Sequence, residues 1–172
     1  IEKAFTITEG SQRTLTLNLG TDTREEQVYV GQTITLEAGE APENKMFDHW
    51  SSTSQNVTFE NVYSENTTFV MPDEDVTVTA NYVPGYTVTV VGGTLDEAGT
   101  ITSQMYKPGA SVVFYADVPQ GKVFDHWATD GEDAHITDAY RNPALMDTMP
   151  ARDVVVTAHF VTDPNYFEVL DN

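Results

Sequence analysis

The chain has 172 residues, and its 27 acidic and 8 basic side chains give a formal net charge of −19. That length allows one ordinary domain or two small ones. Nucleic acids and anionic membrane surfaces are disfavoured partners, because binding to either depends on Lys and Arg. Apolar runs are only a few residues long, so no segment is expected to enter a bilayer. The absence of Cys excludes disulfides and thiol catalysis.

Residue usage favours strands over helices. The chain contains 24 Thr and 20 Val but only 7 Leu, and the first two are suited to the half-buried surface of a sheet. Residues 1–10 include neither an initiating Met nor a signal-like stretch, so we expect a mature or excised piece of a longer protein.

A repeat of almost eighty residues organises the chain. The motif Phe47-Asp48-His49-Trp50 recurs 77 residues later as Phe124-Asp125-His126-Trp127. A second segment, residues 71–83, recurs 78 residues later at 149–161. The repeat predicts a first module over residues 1–83 and a second over 84–162, with 163–172 as a linker or the start of a further module.

The opening of each module is predicted from alternation alone. Residues 5–8 are matched to 86–89 as a first strand, and residues 14–20 form a second strand matched to 100–103. A turn at Tyr29-Val30-Gly31, matched to the segment 106–109, follows these strands.

Two further strands in each module alternate apolar and polar side chains. One core row contains Ile34, Leu36 and Ala38, and its counterpart contains Val112, Phe114 and Ala116. The closing strand contributes Val76, Val78, Ala80 and Tyr82, matched by Val154, Val156, Ala158 and Phe160. Little helix is expected, because the best candidate, residues 138–148, is interrupted by Pro143.

The aromatic motif interrupts this alternation. Phe47 and Trp50 are three residues apart, so strict alternation would place them on opposite faces of a strand. A bulge at Asp48-His49 would let both enter the core, and the same holds for the second copy.

The composite pattern resembles the divergent internalin-B B-repeat family of bacterial surface proteins. It combines a Gly turn, an aromatic-x-x-Trp segment, a Met-Pro pair and a closing Asp-Val-x-Val-x-Ala strand. In this sequence it is carried by Gly31, Phe47, Trp50, Met71, Pro72, Asp75 and Ala80, and by Gly109, Phe124, Trp127, Met149, Pro150, Asp153 and Ala158. The resemblance implies a mainly β chain of two tandem, small, β-grasp-like modules with little or no helix. It offers no catalytic residues, and the structural anchors expected are Phe47, Trp50, Met71, Phe124, Trp127 and Met149.

The doubled Asp-His pair invites a catalytic interpretation, with His49 or His126 as a base. Neighbouring side chains on a strand point apart and form no dyad unless the bend is sharp, so we expect a structural bend with a partly exposed His rather than a catalytic dyad. A base also needs a nucleophile within reach, and the sequence suggests none.

Metal binding is a weaker alternative. Asp130, Glu132 and Asp133 place hard oxygen ligands in one loop and are weak calcium candidates, although they do not match a calcium-loop motif. His135 and His159 could join a metal site, but His159 lies on the outer face of the closing strand, where the first module has Asn81, and is interpreted as a plain surface residue. We therefore expect no metal and no cofactor.

The resulting hypothesis is a non-enzymatic repeat segment of a secreted or wall-attached bacterial protein. It would act as a spacer, an adhesion segment or a protein-interaction module, with a surface protein or a glycan as its partner and a monomeric state. The alternative is a carbohydrate- or ligand-binding accessory module of a secreted enzyme. Trp50 and Trp127 distinguish the two hypotheses, because sugar-binding platforms need exposed aromatic rings.

Overall fold

The structure is a computed structural model that describes residues 10–166. Contacts divide the chain into two compact units, Ile1–Val83 and Pro84–Asn172. Within the described range all regular structure is β, and no helix there could span a membrane. The first unit contains β1 (Gln12–Leu19), β2 (Asp22–Tyr29), β3 (Thr33–Glu37), β4 (Lys45–Ser52), β5 (Asn66–Val70) and β6 (Val76–Pro84). The second contains β7 (Tyr86–Val91), β8 (Gly93–Thr94), β9 (Ser103–Tyr106), β10 (Val112–Ala116), β11 (Lys122–Thr129), β12 (Ala144–Met146) and β13 (Val154–Thr162).

Both units contain the same four-stranded sheet. In the first unit the strand order is β2-β1-β6-β4, and the central pair β1 and β6 runs parallel, with Leu15 opposite Val76. In the second unit the order is β9-β7-β13-β11, and β7 and β13 run parallel, with Val88 opposite Val154. The predicted fold class, a mainly β chain of two tandem modules with little or no helix, is confirmed.

A smaller sheet completes each unit. It is the antiparallel pair β3-β5 in the first unit and the three strands β12-β10-β8 in the second. Each hydrophobic core contains residues from both of its sheets, as expected for a two-layer module. The first core consists of Leu15, Leu17, Leu19, Val28, Ile34, Leu36, Ala38, Phe47, Trp50, Phe69, Met71, Val76, Val78 and Ala80. The second consists of Val88, Val90, Val112, Phe114, Trp127, Ala134, Ala144, Met146, Met149, Val154, Val156 and Ala158.

The predicted core rows are confirmed, but the predicted match between the opening strands is wrong. Because β1 pairs with β6 as β7 pairs with β13, the counterpart of Val88 is Leu15 and not a residue of the segment 5–8. The segment 5–8 itself lies outside the described residues. Likewise, residues 103–106 form β9, the counterpart of β2 rather than of β1.

The Gly turn and the Met-Pro pair of the repeat bind each other. In the first unit the Gly31 amide donates to the Met71 carbonyl at 2.8 Å, and the Met71 amide donates to Gln32 at 2.9 Å. The same two bonds recur at Gly109 and Met149 in the second unit. Both glycines have positive φ, of 81° and 83°, which L side chains rarely adopt. These contacts explain why the two motifs recur together.

The candidate helix 138–148 instead contains turns and the short strand β12. Backbone groups in this segment form hydrogen bonds across to a neighbouring stretch of chain. One of them joins the Thr137 amide to the Leu145 carbonyl at 2.9 Å. Beyond β13 the chain makes a turn at 163–166, closed by the Tyr166 amide on Asp163. The rest of the segment 163–172, predicted as a linker or the start of a further module, lies outside the described residues.

Candidate functional site

A β-bulge shapes the Asp-His motif. In the second unit the register between β11 and β13 shifts between Phe124 and His126, so that Asp125 is the extra residue. A bulge breaks the alternation of side chains and lets one strand present two neighbours on the same side. In the first unit both Phe47 and Trp50 are buried, as the bulge hypothesis requires.

In both units the Asp carboxylate lies against the adjacent imidazole. Asp48 Oδ2 lies 2.8 Å from His49 Nδ1, and Asp125 Oδ2 lies 2.7 Å from His126 Nδ1. Neighbours on a regular strand point apart, so these contacts require the sharp bend that the sequence-based interpretation names as the exception. An ionised carboxylate only accepts, so Nδ1 of each ring carries the proton and the neutral ring keeps its lone pair on Nε2.

The two Asp-His pairs have different neighbours. In the first unit the Asn81 amide donates to the His49 carbonyl at 3.1 Å and to Ser51 Oγ at 2.9 Å. The second unit places His159 opposite His126, and the two rings stack with centroids 4.5 Å apart and planes within 8°. Each Asp-His pair therefore presents an oriented, accessible imidazole. In the described part of the chain, no hydroxyl is hydrogen-bonded to either ring of the two pairs.

The two tryptophans are buried at equivalent places. Trp50 is 1 % exposed and Trp127 is 2 % exposed. Their Nε1 atoms donate to the carbonyls of Ser64 at 2.8 Å and Arg141 at 3.2 Å. These rings therefore fix the segment that follows β4 or β11, and neither offers a platform to a ligand.

The other expected anchors lie around the tryptophans. Met71 and Met149 are fully buried, and Phe47 is buried against Trp50 with ring centroids 5.5 Å apart. Phe124 is only half-buried, but it keeps the same contact with Trp127 at 5.4 Å.

One exposed aromatic residue in each unit was not singled out from the sequence. Tyr63 is 75 % exposed and Tyr140 is 77 % exposed, and they are 77 residues apart like the two tryptophans. Each sits in an Asx turn, with its amide donating to Asn61 Oδ1 at 3.0 Å or Asp138 Oδ1 at 3.1 Å. The shared offset and the Asn or Asp two residues earlier were the available sequence signal. We call these two residues the displayed tyrosines.

Two of the three calcium candidates, Asp130 and Asp133, form ion pairs with an arginine side chain of the same unit. The Arg152 guanidinium donates to Asp133 Oδ1 at 2.6 Å and to Asp130 Oδ1 at 2.9 Å. Its hydrogen bonds hold the pKa of the Asp133 carboxyl below its usual value. Glu132 takes no part in these ion pairs. No group of three or more His, Cys, Asp or Glu side chains in residues 10–166 is placed to hold a metal ion.

The first unit places a carboxylate where the second unit has the guanidinium. Glu74 occupies the position of Arg152 and accepts from Ser54 Oγ at 2.5 Å and from Asn56 Nδ2 at 2.8 Å. These two hydrogen bonds lower the pKa of the Glu74 carboxyl. In both units the side chain at this position therefore ties a loop to the start of the closing strand by hydrogen bonds. Glu74 accepts these bonds in the first unit, and Arg152 donates them in the second.

A shallow apolar groove of about 290 Å³ lies on the surface of the second unit. Its walls include Val113, Asp138, Arg141, Pro143 and Leu145, so it borders the turn that carries Tyr140. The groove combines an apolar floor with one carboxylate and one guanidinium.

Comparison with known proteins places both units in one family. Residues 9–85 and residues 86–164 each match the family described as the divergent InlB B-repeat domain. No curated protein and no solved structure matches the chain. The two matches together cover most of the 172 residues and coincide closely with the two units described above. The chain therefore belongs to the divergent InlB B-repeat family and contains two tandem copies of its domain.

Proposed function

We propose that the chain is a non-enzymatic repeat segment of a bacterial surface or secreted protein, which spaces its parent and makes adhesive contacts. The family occurs in bacterial surface proteins, which supports an extracellular, wall-attached or secreted location. The observation that carries the adhesive part is the pair of displayed tyrosines, which occupy the same Asx turn in both copies. The same exposed aromatic side chain occurs in both copies although the residues around it differ. Such a side chain is suited to contact a partner.

The absence of an evident reaction centre among residues 10–166 supports the non-enzymatic role. Each Asp-His pair supplies an oriented base, but catalysis also needs a group that reacts, held within hydrogen-bond distance. The same pair recurs beside a core tryptophan in both copies. A structural role for the pair accounts for that recurrence.

The charge of the chain restricts the partner. At a net charge of −19, long-range repulsion opposes polyanions such as nucleic acids and sulfated glycans. Neutral glycans and neutral or basic protein surfaces are the partners that we propose. Like-charge repulsion also favours a monomeric chain.

A role as a carbohydrate-binding accessory module remains the second candidate. Burial of Trp50 and Trp127 argues against it, because those rings cannot stack on a sugar. The displayed tyrosines and the groove beside Arg141 favour it, because ligand sites combine aromatic walls with a few polar groups.

Attachment of chain-coated beads to cultured cells and to neutral glycans tests the proposal. We expect wild-type beads to attach and beads carrying the double variant Tyr63→Ser, Tyr140→Ser to lose most of that attachment. The variant Tyr29→Ser is the control, since Tyr29 is exposed in the first unit but does not belong to the repeated Asx turn. Attachment to neutral glycans alone would favour the accessory-module role. Attachment that survives the double substitution would contradict the adhesive proposal, and no attachment at all would reduce the function to spacing.

A further inference from the structure

The stacked histidines of the second unit form a cluster that the spacing and adhesive roles do not use. His126 and His159 lie directly opposite each other on the antiparallel strands β11 and β13. Their rings are parallel and 4.5 Å apart. Side chains directly opposite on antiparallel strands have Cβ atoms about 4.5 to 5.5 Å apart, close enough for both rings to reach one ion.

We propose that His126 and His159 bind one divalent transition-metal ion of the zinc, copper and nickel class. Neutral imidazole is a preferred ligand of these ions, whereas calcium and magnesium prefer oxygen. Small rotations of the two rings would bring one nitrogen of each onto a shared ion. The ring of Tyr140 lies beside that of His126, with centroids 6.0 Å apart, but no step of the inference depends on the adhesive proposal.

Asp125 prepares His126 for this role. Its carboxylate lies 2.7 Å from His126 Nδ1, which leaves Nε2 as the nitrogen with a lone pair. A carboxylate on the far nitrogen of a histidine is the usual second layer of a metal site, because it fixes the tautomer and raises the basicity of the ligand.

His159 is equally available. It is exposed, and within residues 10–166 its ring nitrogens take part in no hydrogen bond. Its contact with His126 is a ring stack rather than a bond that an ion would have to break. Because no third His, Cys, Asp or Glu ligand is grouped with them in the described range, water would fill the remaining positions of the ion.

The first unit provides a natural comparison. Asn81 stands where the second unit has His159, and its amide is engaged by the His49 carbonyl and Ser51. The first unit therefore keeps an Asp-His pair without a second imidazole. A site that needs two imidazoles should exist only in the second unit.

Calorimetric titration of the full chain with ZnCl₂, with MgCl₂ as the ionic control, tests the proposal. We expect one zinc ion per chain and no comparable magnesium signal. His159→Asn should abolish the zinc signal, and Asp125→Asn should weaken binding about 10- to 100-fold. His135→Asn is the matched control and should change nothing, because that ring lies apart, 3.8 Å from Asp147.

A second measurement protects the test against misfolded variants. Substoichiometric NiCl₂ should broaden the imidazole NMR signals of His126 and His159 in the wild-type chain, while those of His49 and His135 stay sharp. The gain-of-function variant Asn81→His should add a second zinc ion to the titration. Zinc binding that persists in His159→Asn, equal broadening of all four histidines, or no zinc binding at millimolar concentration would each overturn the proposal.

Discussion

Replacement of Trp50 by Ala tests the core of the first unit most severely. A tryptophan buries about 150 to 250 Å². At ~25 cal/mol per Å² this corresponds to about 4 to 6 kcal/mol of burial energy. Trp50 is 1 % exposed, so almost all of that area is at stake.

Alanine keeps a little of the buried area, and measured Trp-to-Ala losses in cores are about 3 to 5 kcal/mol. The Ser64 carbonyl also loses its donor at 2.8 Å, which adds about 1 kcal/mol. Small domains have total stabilities of about 5 to 15 kcal/mol, so the first unit should lose most of its stability. Trp127→Ala should have the same effect on the second unit.

The two tryptophans make the assay selective. The chain contains only two, so Trp50→Ala leaves Trp127 as the sole reporter of the second unit, and Trp127→Ala leaves Trp50. Urea unfolding should show an early transition by circular dichroism for the mutated unit, while fluorescence follows the other. Trp50→Phe is the control, because it keeps a buried aromatic ring while losing the Nε1 hydrogen bond and part of the indole volume, so its loss should be smaller. A loss below about 1 kcal/mol for Trp50→Ala, near the range of surface substitutions, would refute the anchor role.

Three further changes test other contacts. Asp153→Ala removes the acceptor that holds the Thr87 amide at 2.7 Å, and the free energy of unfolding should fall by about 1 kcal/mol in urea titrations. Gly93→Ala would place a Cβ against the Tyr115 carbonyl and 2.8 Å from the Trp127 ring, so the melting temperature should fall with a loss of about 1 to 3 kcal/mol; an unchanged melt would contradict this close packing. The Arg152 bonds lower the folded pKa of Asp133, so their contribution is complete above the unfolded value of about 3.9 and is lost as pH falls through the lowered value. Urea midpoints from pH 7 to pH 2 should therefore fall less steeply for Arg152→Ala than for wild type, and parallel curves would contradict the pairing.

Much of the fold follows from local pattern. Rows such as Val76, Val78 and Ala80 alternate clearly, and their repetition 78 residues later fixes the register of the closing strand. The repeated Phe-x-x-Trp spacing indicated a bulge, because both aromatics had to be buried. These features depend on neighbours along the chain, which is why sequence reasoning reached them.

The opening strands depend on tertiary pairing instead. Residues 5–8 and 14–20 both alternate, so the pattern alone could not decide which one corresponds to β7. Only the parallel pairing of Leu15 with Val76, and of Val88 with Val154, settles the choice.

The site features missed by sequence reasoning are also matters of geometry. The bulge turns Asp125 back onto His126, an outcome that strand alternation argues against. Arg152 reaches Asp133 from 19 residues away, so the loop that resembled a calcium ligand set is bridged by a side chain of the same unit.

Hydrogen exchange of backbone amides, resolved by residue, tests the central claim that the chain is two equivalent modules. The slowest amides should lie in the two parallel pairs, at Leu15–Leu19 with Val76–Ala80 and at Val88–Val91 with Val154–Thr157, because these strands form the centre of each sheet. The two protection patterns should coincide when β1 is aligned with β7 and β6 with β13. Slow exchange that runs through one set of strands without a counterpart in the other would contradict the account.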